Sequence, residues 1–339
     1  MLLLVTMATS AMPLHNSNIN SKAPKPSLKS GDSIWIETQK ILPGDGEARD
    51  QFGYSVFLDD NTAIIGAPLD DDNGVDSGSA YVFTYTGTTW ILQAKLLALD
   101  GATGDLFGHW YVAIDGDTAL IGAPMDDDNG ADSGSAYIFI RTGTTWTQQA
   151  KLLASDGAAG DWFGWSVSIE GDTAIICAPS DDDNGLNSGS AYVFTRTGTN
   201  WTQLTKLLAT DGTQGDYLGG SSDFAGDSAI LGANEDDDNG HGSGSAYVFT
   251  RTGNIWTQQA KLISSDIAEG DFFGYCVALD MNTALVGAVS DDDNGIQSGS
   301  AYVFTRTGTT WTQQAKLLAG DGSTSDMFGA SVCLDEDTA

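Results

Sequence analysis

The chain has 339 residues, of which 46 are acidic and 14 basic, so its formal net charge is −32. A field of this sign repels phosphate backbones and anionic lipid surfaces, which argues against nucleic-acid binding and direct membrane insertion. The 41% hydrophobic residues are enough for a packed core, and the 42 glycines indicate many tight turns. This mixture favours short strands.

Residues 1–30 are predicted to be a leader and a flexible spacer. They pass from the apolar stretch MLLLVTMATSAM into a polar stretch rich in Pro, Ser and Asn. This order is typical of the later part of a secretory signal, although the positively charged start is missing. No apolar run reaches the roughly 20 residues that a spanning helix needs. We therefore expect a secreted or cell-surface protein whose membrane anchor, if it has one, lies outside this chain.

Residues 31–339 repeat with a period of 55 or 56 residues. The Asp that precedes each Phe-Gly or Leu-Gly pair marks the start of a unit, at Asp50, Asp105, Asp161, Asp216, Asp271 and Asp326. The single added residue lies in FGHWYVAI, where it predicts a β-bulge at His109, Trp110 and Tyr111. A regular tandem period of this length predicts one repeat domain.

Each unit contains four strand-like runs. In residues 161–215 they are FGWSVSI, TAIICAP, AYVFTRT and WTQLTKLLA, which short turns and longer Asp-rich loops separate. A repeated four-stranded antiparallel meander predicts an all-β fold, the β-propeller, with an open β-solenoid as the alternative.

The two ends of the repeat region match complementary parts of one blade. Residues 33–42 match the fourth strand, and the C-terminal MFGASVCLDEDTA matches the first strand and the following turn. Pairing of the two ends would close the ring and remove exposed edges. The second and third strands of that blade are largely missing, which predicts a chain truncated at its C-terminus. We expect five complete blades and one split blade, and six or seven blades in the intact protein.

The paired motifs FGYSV…IIGAP, FGWSV…IICAP and FGYCV…LVGAV resemble FG-GAP repeats, the units of the integrin α-chain propeller and of many microbial surface proteins. The resemblance covers residues 33–339. It implies an extracellular, non-catalytic binding or adhesion propeller. Integrin-type calcium binding does not carry over, because the connection between FG and GAP is too short to wrap an ion. The chain is more similar to the bacterial and archaeal subtype in which DDDNGxxSGSAYVF follows GAP.

Two kinds of acidic loop are predicted to share one face. In an antiparallel meander, the loop between strands 2 and 3 and the loop from strand 4 to the next blade emerge at the same end. The second kind carries Asp pairs such as Asp100 with Asp105. The first kind supplies the candidate Ca²⁺ ligands, because crowded carboxylates favour a hard cation. These candidates are Asp70, Asp71, Asp72, Asp126, Asp127, Asp128, Asp181, Asp182, Asp183, Asp236, Asp237, Asp238, Asp291, Asp292 and Asp293.

Two other interpretations of these loops stay open. Asp and Asn can cap the turns through bonds from their side chains to the backbone, with Gly at positive φ. The loops can also contact a protein ligand directly. The residue before the first Asp is Leu69, Met125, Ser180, Glu235 or Ser290, so the loops lack the Asp that opens an EF-hand ligand series.

No catalytic constellation is predicted. The histidines His15, His109 and His241 occupy unrelated repeat positions, and neither HExxH nor a nucleophile elbow is present. An enzyme would need a catalytic domain elsewhere, or a non-repeating pocket around His109, Trp110 and His241.

Cys177, Cys276 and Cys333 lie at three different repeat positions, which predicts buried free thiols.

Six tryptophans recur at the start of the fourth strand, where they predict packing between blades; the alternative is a ring of sugar-stacking platforms. They are Trp35, Trp90, Trp146, Trp201, Trp256 and Trp311. The resulting expectation is an extracellular propeller that binds a protein or a surface glycan at its acidic loop face, with Ca²⁺ as a candidate cofactor. The alternatives are a calcium-dependent lectin-like module and the accessory propeller of a secreted enzyme.

Overall fold

The computed structural model describes residues 39–335 and 338–339, so the leader predicted over residues 1–30 lies outside the described residues. Within them, 20 strands form five four-stranded antiparallel sheets, and each strand pairs with the next along the chain. No helix in this part of the chain is long and apolar enough to cross a membrane. The predicted all-β propeller built from four-stranded meanders is confirmed.

The strands fall into five blades of four. Blade 1 contains β1 (Val56–Asp59), β2 (Thr62–Ala67), β3 (Ser79–Tyr85) and β4 (Trp90–Leu96). Blade 2 contains β5 (Val112–Asp115), β6 (Thr118–Ala123), β7 (Ser135–Thr142) and β8 (Thr145–Leu152). Blade 3 contains β9 (Val167–Glu170), β10 (Thr173–Ala178), β11 (Ser190–Thr197) and β12 (Asn200–Leu207). Blade 4 contains β13 (Ser221–Ala225), β14 (Ser228–Ala233), β15 (Ser245–Thr252) and β16 (Ile255–Leu262). Blade 5 contains β17 (Phe273–Asp280), β18 (Thr283–Ala288), β19 (Ser300–Thr307) and β20 (Thr310–Leu317).

The core lies between neighbouring blades. Ile64 and Val82 of blade 1 share one buried cluster with Val112, Ile121 and Tyr137 of blade 2, and similar clusters join the later blades. Second strands such as β6 are buried at every residue, because both faces of the sheet are covered. First strands of adjacent blades contact each other more extensively than fourth strands do, so the first strands lie nearest the propeller axis.

The FG and GAP motifs meet across each blade interface. A Cβ on Gly122, in the GAP of blade 2, would overlap the carbonyl oxygen of Gly164, in the FG of blade 3. Gly164 itself has a φ of +96°, in the left-handed region that favours glycine. The two glycines therefore allow two backbones to approach more closely than any side chain would permit.

Packing between blades also uses the repeated Arg and Trp. The Arg141 guanidinium lies 5.3 Å from the centre of the Trp146 ring and donates to the Thr62 hydroxyl of blade 1 at 3.1 Å. Trp146 donates from Nε1 to Gln93 Oε1 of blade 1 at 2.7 Å. The structural interpretation of the fourth-strand tryptophans is confirmed at this position.

Three details differ from the sequence-based expectations. β5 pairs with β6 without a register shift, so the predicted bulge at residues 109–111 is wrong, and the added residue lies in the irregular segment before β5. Bulges occur instead between the third and fourth strands of all five blades. Cys177 and Cys276 are buried free thiols as predicted, but Cys333 is exposed because the segment around it forms no strand.

The predicted pairing of the two chain ends lies partly outside the described residues, since residues 33–38 are not among them. Within the described part, Gln39 accepts from the Trp90 backbone N–H and donates to the Trp90 carbonyl, both in blade 1. Val332 and Leu334 pack against blade 5. The described parts of the two ends thus contact blade 1 and blade 5, respectively.

Candidate functional site

The two kinds of acidic loop meet at one end of the blades, as predicted. The Lys151 ammonium of β8 lies 2.8 Å from the Asp100 carboxylate in the loop that enters blade 2. It also lies 2.8 Å from Asp126 and 2.7 Å from Asp128 in the loop between β6 and β7. One lysine therefore joins three carboxylates from both loops.

The same arrangement recurs in every blade. Its lysines are Lys95, Lys151, Lys206, Lys261 and Lys316. In each cluster the first Asp of the DDD triplet is almost fully buried. It also accepts a hydrogen bond from a tyrosine hydroxyl, as Asp126 does from Tyr137 at 2.9 Å. Burial disfavours the charged ammonium, but the hydrogen bonds to Asp100, Asp126 and Asp128 raise the pKa of Lys151 above its ordinary value. The lysine stays charged and compensates the carboxylates.

The other polar side chains of the loop hold its backbone. Asp127 Oδ1 accepts from the Asp132 N–H at 2.8 Å, Asp126 Oδ1 accepts from the Asp128 N–H, and Asn129 donates to the Ala154 carbonyl. Gly130 has a φ of +129°. These are the capping roles that the sequence left open as one alternative.

All fifteen candidate calcium ligands lie in these loops. Within residues 39–335 and 338–339, no group of three or more His, Cys, Asp or Glu side chains is arranged to hold a metal ion. The lysine was not predicted from the sequence, although its signal was present: a Lys follows each fourth-strand Trp by five residues.

An aromatic pocket breaks the repetition. It has a volume of about 290 Å³, and aromatic side chains contribute most of its wall. Its lining residues come from the segments that lead into the first strands of blades 2 to 4, from β17 of blade 5, and from the residues that follow β10 and β14. They are Trp110, Tyr111, Trp162, Trp165, Pro179, Tyr217, Gly220, Asn234, Glu235 and Tyr275. We call this the aromatic pocket.

The pocket exists because blade 4 lacks an aromatic side chain that its neighbours carry. The residue after the FG pair is Tyr54, His109, Trp165 and Tyr275 in blades 1, 2, 3 and 5, but it is Gly220 in blade 4. Gly220 does not have a left-handed φ, so the backbone does not require glycine there. Its missing side chain leaves the space beside Asn234, whose Oδ1 would lie 3.1 Å from an added Cβ.

Stacked rings hold one wall of the pocket. Trp162 and Trp165 lie 5.1 Å apart with an interplanar angle of 17°, and Trp165 lies 4.9 Å from Trp110. His109 lies behind them, stacked on Tyr54 at 4.7 Å, and burial lowers the pKa of His109 to about 4. A neutral, enclosed imidazole supports the wall and is unsuited to a role as a base that ligands reach.

The remaining lining residues are polar or lie deeper. Tyr111 belongs to the segment of blade 2 that contains the added residue, and it lies beside Cys276 and Cys177 inside the propeller. Burial raises the pKa of Glu235, and the nearby His241 opposes this shift. Of the three residues proposed for a non-repeating pocket, Trp110 lines the aromatic pocket and His109 packs behind its wall. His241 does not line it but lies near the lining residue Glu235.

Asp223 is a second non-repeating acidic residue, in β13 near the axis. Its carboxylate accepts from the Leu279 N–H of blade 5 at 2.7 Å and from the Phe224 N–H at 2.8 Å. Burial raises the pKa of Asp223 to about 6, and these two backbone bonds only partly offset the effect.

We expect Asp223 to make stability depend on pH. Because the folded state binds this proton more tightly than the unfolded state, its contribution is present below about pH 4 and is lost as pH rises to about 6. The free energy of unfolding should fall by up to about 3 kcal/mol over this window relative to Asp223→Asn. Urea unfolding of both proteins from pH 4 to pH 7 measures the difference. A difference that does not change with pH would contradict the assignment.

A family model described as FG-GAP repeat matches the chain six times, over residues 35–83, 90–139, 146–194, 201–249, 256–304 and 311–339. Four of these matches, those that begin at residues 90, 146, 201 and 256, run from a fourth strand to the third strand of the following blade. No curated protein matches the chain.

Proposed function

Because the chain belongs to the FG-GAP repeat family, whose propeller repeats are typically non-catalytic binding domains, we propose that it is an extracellular adhesion module. Its ligand would be a protein or a surface glycan that binds at the loop end of the blades. The accessory propeller of a secreted enzyme would use the same surface.

The observation that carries this proposal is the asymmetry of the loop end. The lysine-centred clusters repeat in all five blades and stabilise the loops, which is a structural role. The aromatic pocket occurs where Gly220, Asn234 and Glu235 depart from their sister residues. A concave, largely apolar site with a few polar groups is the usual form of a binding site.

Binding to an array of surface glycans and to immobilised cell-surface proteins tests the proposal. Gly220→Trp places in blade 4 the side chain that blade 3 carries at Trp165, so it should fill the pocket and abolish binding. Thr199→Trp is the matched control, because it adds the same side chain to an exposed hairpin at the other end of a blade. Equal binding by both variants would move the ligand surface away from the pocket.

Calcium dependence belongs to the alternative, a calcium-dependent, lectin-like module. The fifteen loop aspartates are its candidate ligands, and the two exposed members of each triplet, such as Asp127 and Asp128, are the ones that solvent cations can reach first. A ligand that binds only the folded state raises the melting temperature with its concentration. We expect little change between Ca²⁺ and a chelator, since each cluster already holds an ammonium. A calcium-dependent rise would support a calcium-dependent, lectin-like module.

A further inference from the structure

The aromatic pocket has the composition of a site for an organic cation. Six of its ten lining residues are aromatic, and they come from blades 2, 3, 4 and 5, so rings approach the cavity from several directions. Aromatic faces attract cations through the ring quadrupole, and quaternary ammonium groups are the cations that aromatic cages bind best.

The charged groups around the pocket also favour a cationic ligand. Among the described residues that line it, Glu235, a carboxylate, is the only charged one, and the other nine are neutral. In the described part of the chain no lysine or arginine forms an ion pair with Glu235, although His241 lies nearby, whereas the neighbouring Asp236 is paired with Lys261 at 2.8 Å. The chain as a whole has a net charge of −32, which attracts cations over long range.

Polar groups for a ligand with many hydroxyls are few. The described lining offers the Asn234 amide, the Glu235 carboxylate and the tyrosine hydroxyls, and Tyr217 already accepts from Asn187 Nδ2 at 3.1 Å. A neutral sugar would gain nothing from the charge and would leave several hydroxyls unpaired. A compact cation needs only the rings and one counter-charge.

We propose that the aromatic pocket, opened by Gly220 and closed on one side by Glu235, binds a trimethylammonium or similarly alkylated ammonium head group. The inference rests on the proposed binding function, because it names the ligand chemistry of the same loop end. The volume of about 290 Å³ accommodates such a head group together with the start of the chain that carries it.

Calorimetric titration with choline and with its neutral isostere 3,3-dimethylbutan-1-ol tests the proposal on the full chain. The two molecules have the same shape and differ by one positive charge. We expect choline to bind at least about tenfold more tightly, and added salt to weaken choline alone. Equal affinity for both would overturn the cation proposal, and so would no binding of either.

Three variants locate the site. Gly220→Trp should abolish choline binding, and Trp162→Leu should weaken it about tenfold or more; the latter keeps the left-handed φ that Leu106 adopts at the same position of blade 2. Glu235→Gln should weaken it about fivefold or more, whereas Glu269→Gln removes the same charge from an exposed residue outside the pocket and should not. Equal effects of the two Glu variants would overturn the role of Glu235.

Titrations with sugars separate failure of the cation proposal from failure of the proposed binding function. Glucose and N-acetylglucosamine are titrated in parallel, with melting temperatures confirming that each variant is folded. Binding of a sugar without choline, lost in Gly220→Trp, would overturn the cation proposal and support the glycan form of the proposed function. Retention of array binding by Gly220→Trp would place the proposed adhesion surface outside the pocket, whereas retention of choline binding by this variant would overturn the cation proposal.

Discussion

Replacing Lys151 with Met is expected to destabilise blade 2 by about 3 kcal/mol or more, because it leaves the buried carboxylate of Asp126 without its counter-charge. Asp126 is 3% exposed, and the ammonium within 2.8 Å compensates it together with the Tyr137 hydroxyl. Urea unfolding and hydrogen exchange of the blade 2 amides measure the loss. In repeat arrays each unit mainly contacts its neighbours, so the loss of protection should centre on blade 2.

Two comparisons make the Lys151 result specific. Asp126→Asn combined with Lys151→Met removes the unpaired charge and should recover part of the lost stability. Asp117→Asn breaks the exposed ion pair with Arg141 and should cost less than about 1 kcal/mol. Ca²⁺ should stabilise Lys151→Met more than the parent if the ammonium occupies the place of a cation. A loss below 1 kcal/mol in Lys151→Met would contradict the buried cluster.

The second large effect is expected for Gly122→Ala. The added Cβ overlaps the Gly164 carbonyl across the interface between blades 2 and 3, and backbone on both sides cannot give way as a flexible side chain would. We expect a loss of about 3 kcal/mol in the free energy of unfolding, measured by urea titration.

Cys177 provides the matched position for this test. It occupies the site of Gly122 in blade 3, so the interface between blades 3 and 4 already accommodates a Cβ beside Gly219. Cys177→Ala should therefore cost much less than Gly122→Ala. Equal losses at the two positions would contradict the close approach of the two backbones as the cause of the cost at Gly122.

The repeated features of this protein were determined by its sequence alone. The 55-residue period, the four strand-like runs and the alternation of short turns with Asp-rich loops predict five meanders, and the loops share one end because antiparallel strands alternate in direction. The sequence located the added residue in blade 2 but did not predict its conformation. It lies in the irregular segment before β5, and Tyr111 in this segment packs beside Cys276 and Cys177 inside the propeller.

The functional surface was decided by tertiary structure. Asp126 and Asp128 belong to the same blade as Lys151, but Asp100 is 51 residues away in the loop from blade 1, and only the tertiary arrangement of blades 1 and 2 brings it to the lysine. The aromatic pocket likewise depends on four blades converging near the axis, so that one missing side chain, at Gly220, becomes a cavity. A pattern along the chain shows which residues repeat, whereas contact between residues of different blades follows from closure around an axis, which no local pattern encodes.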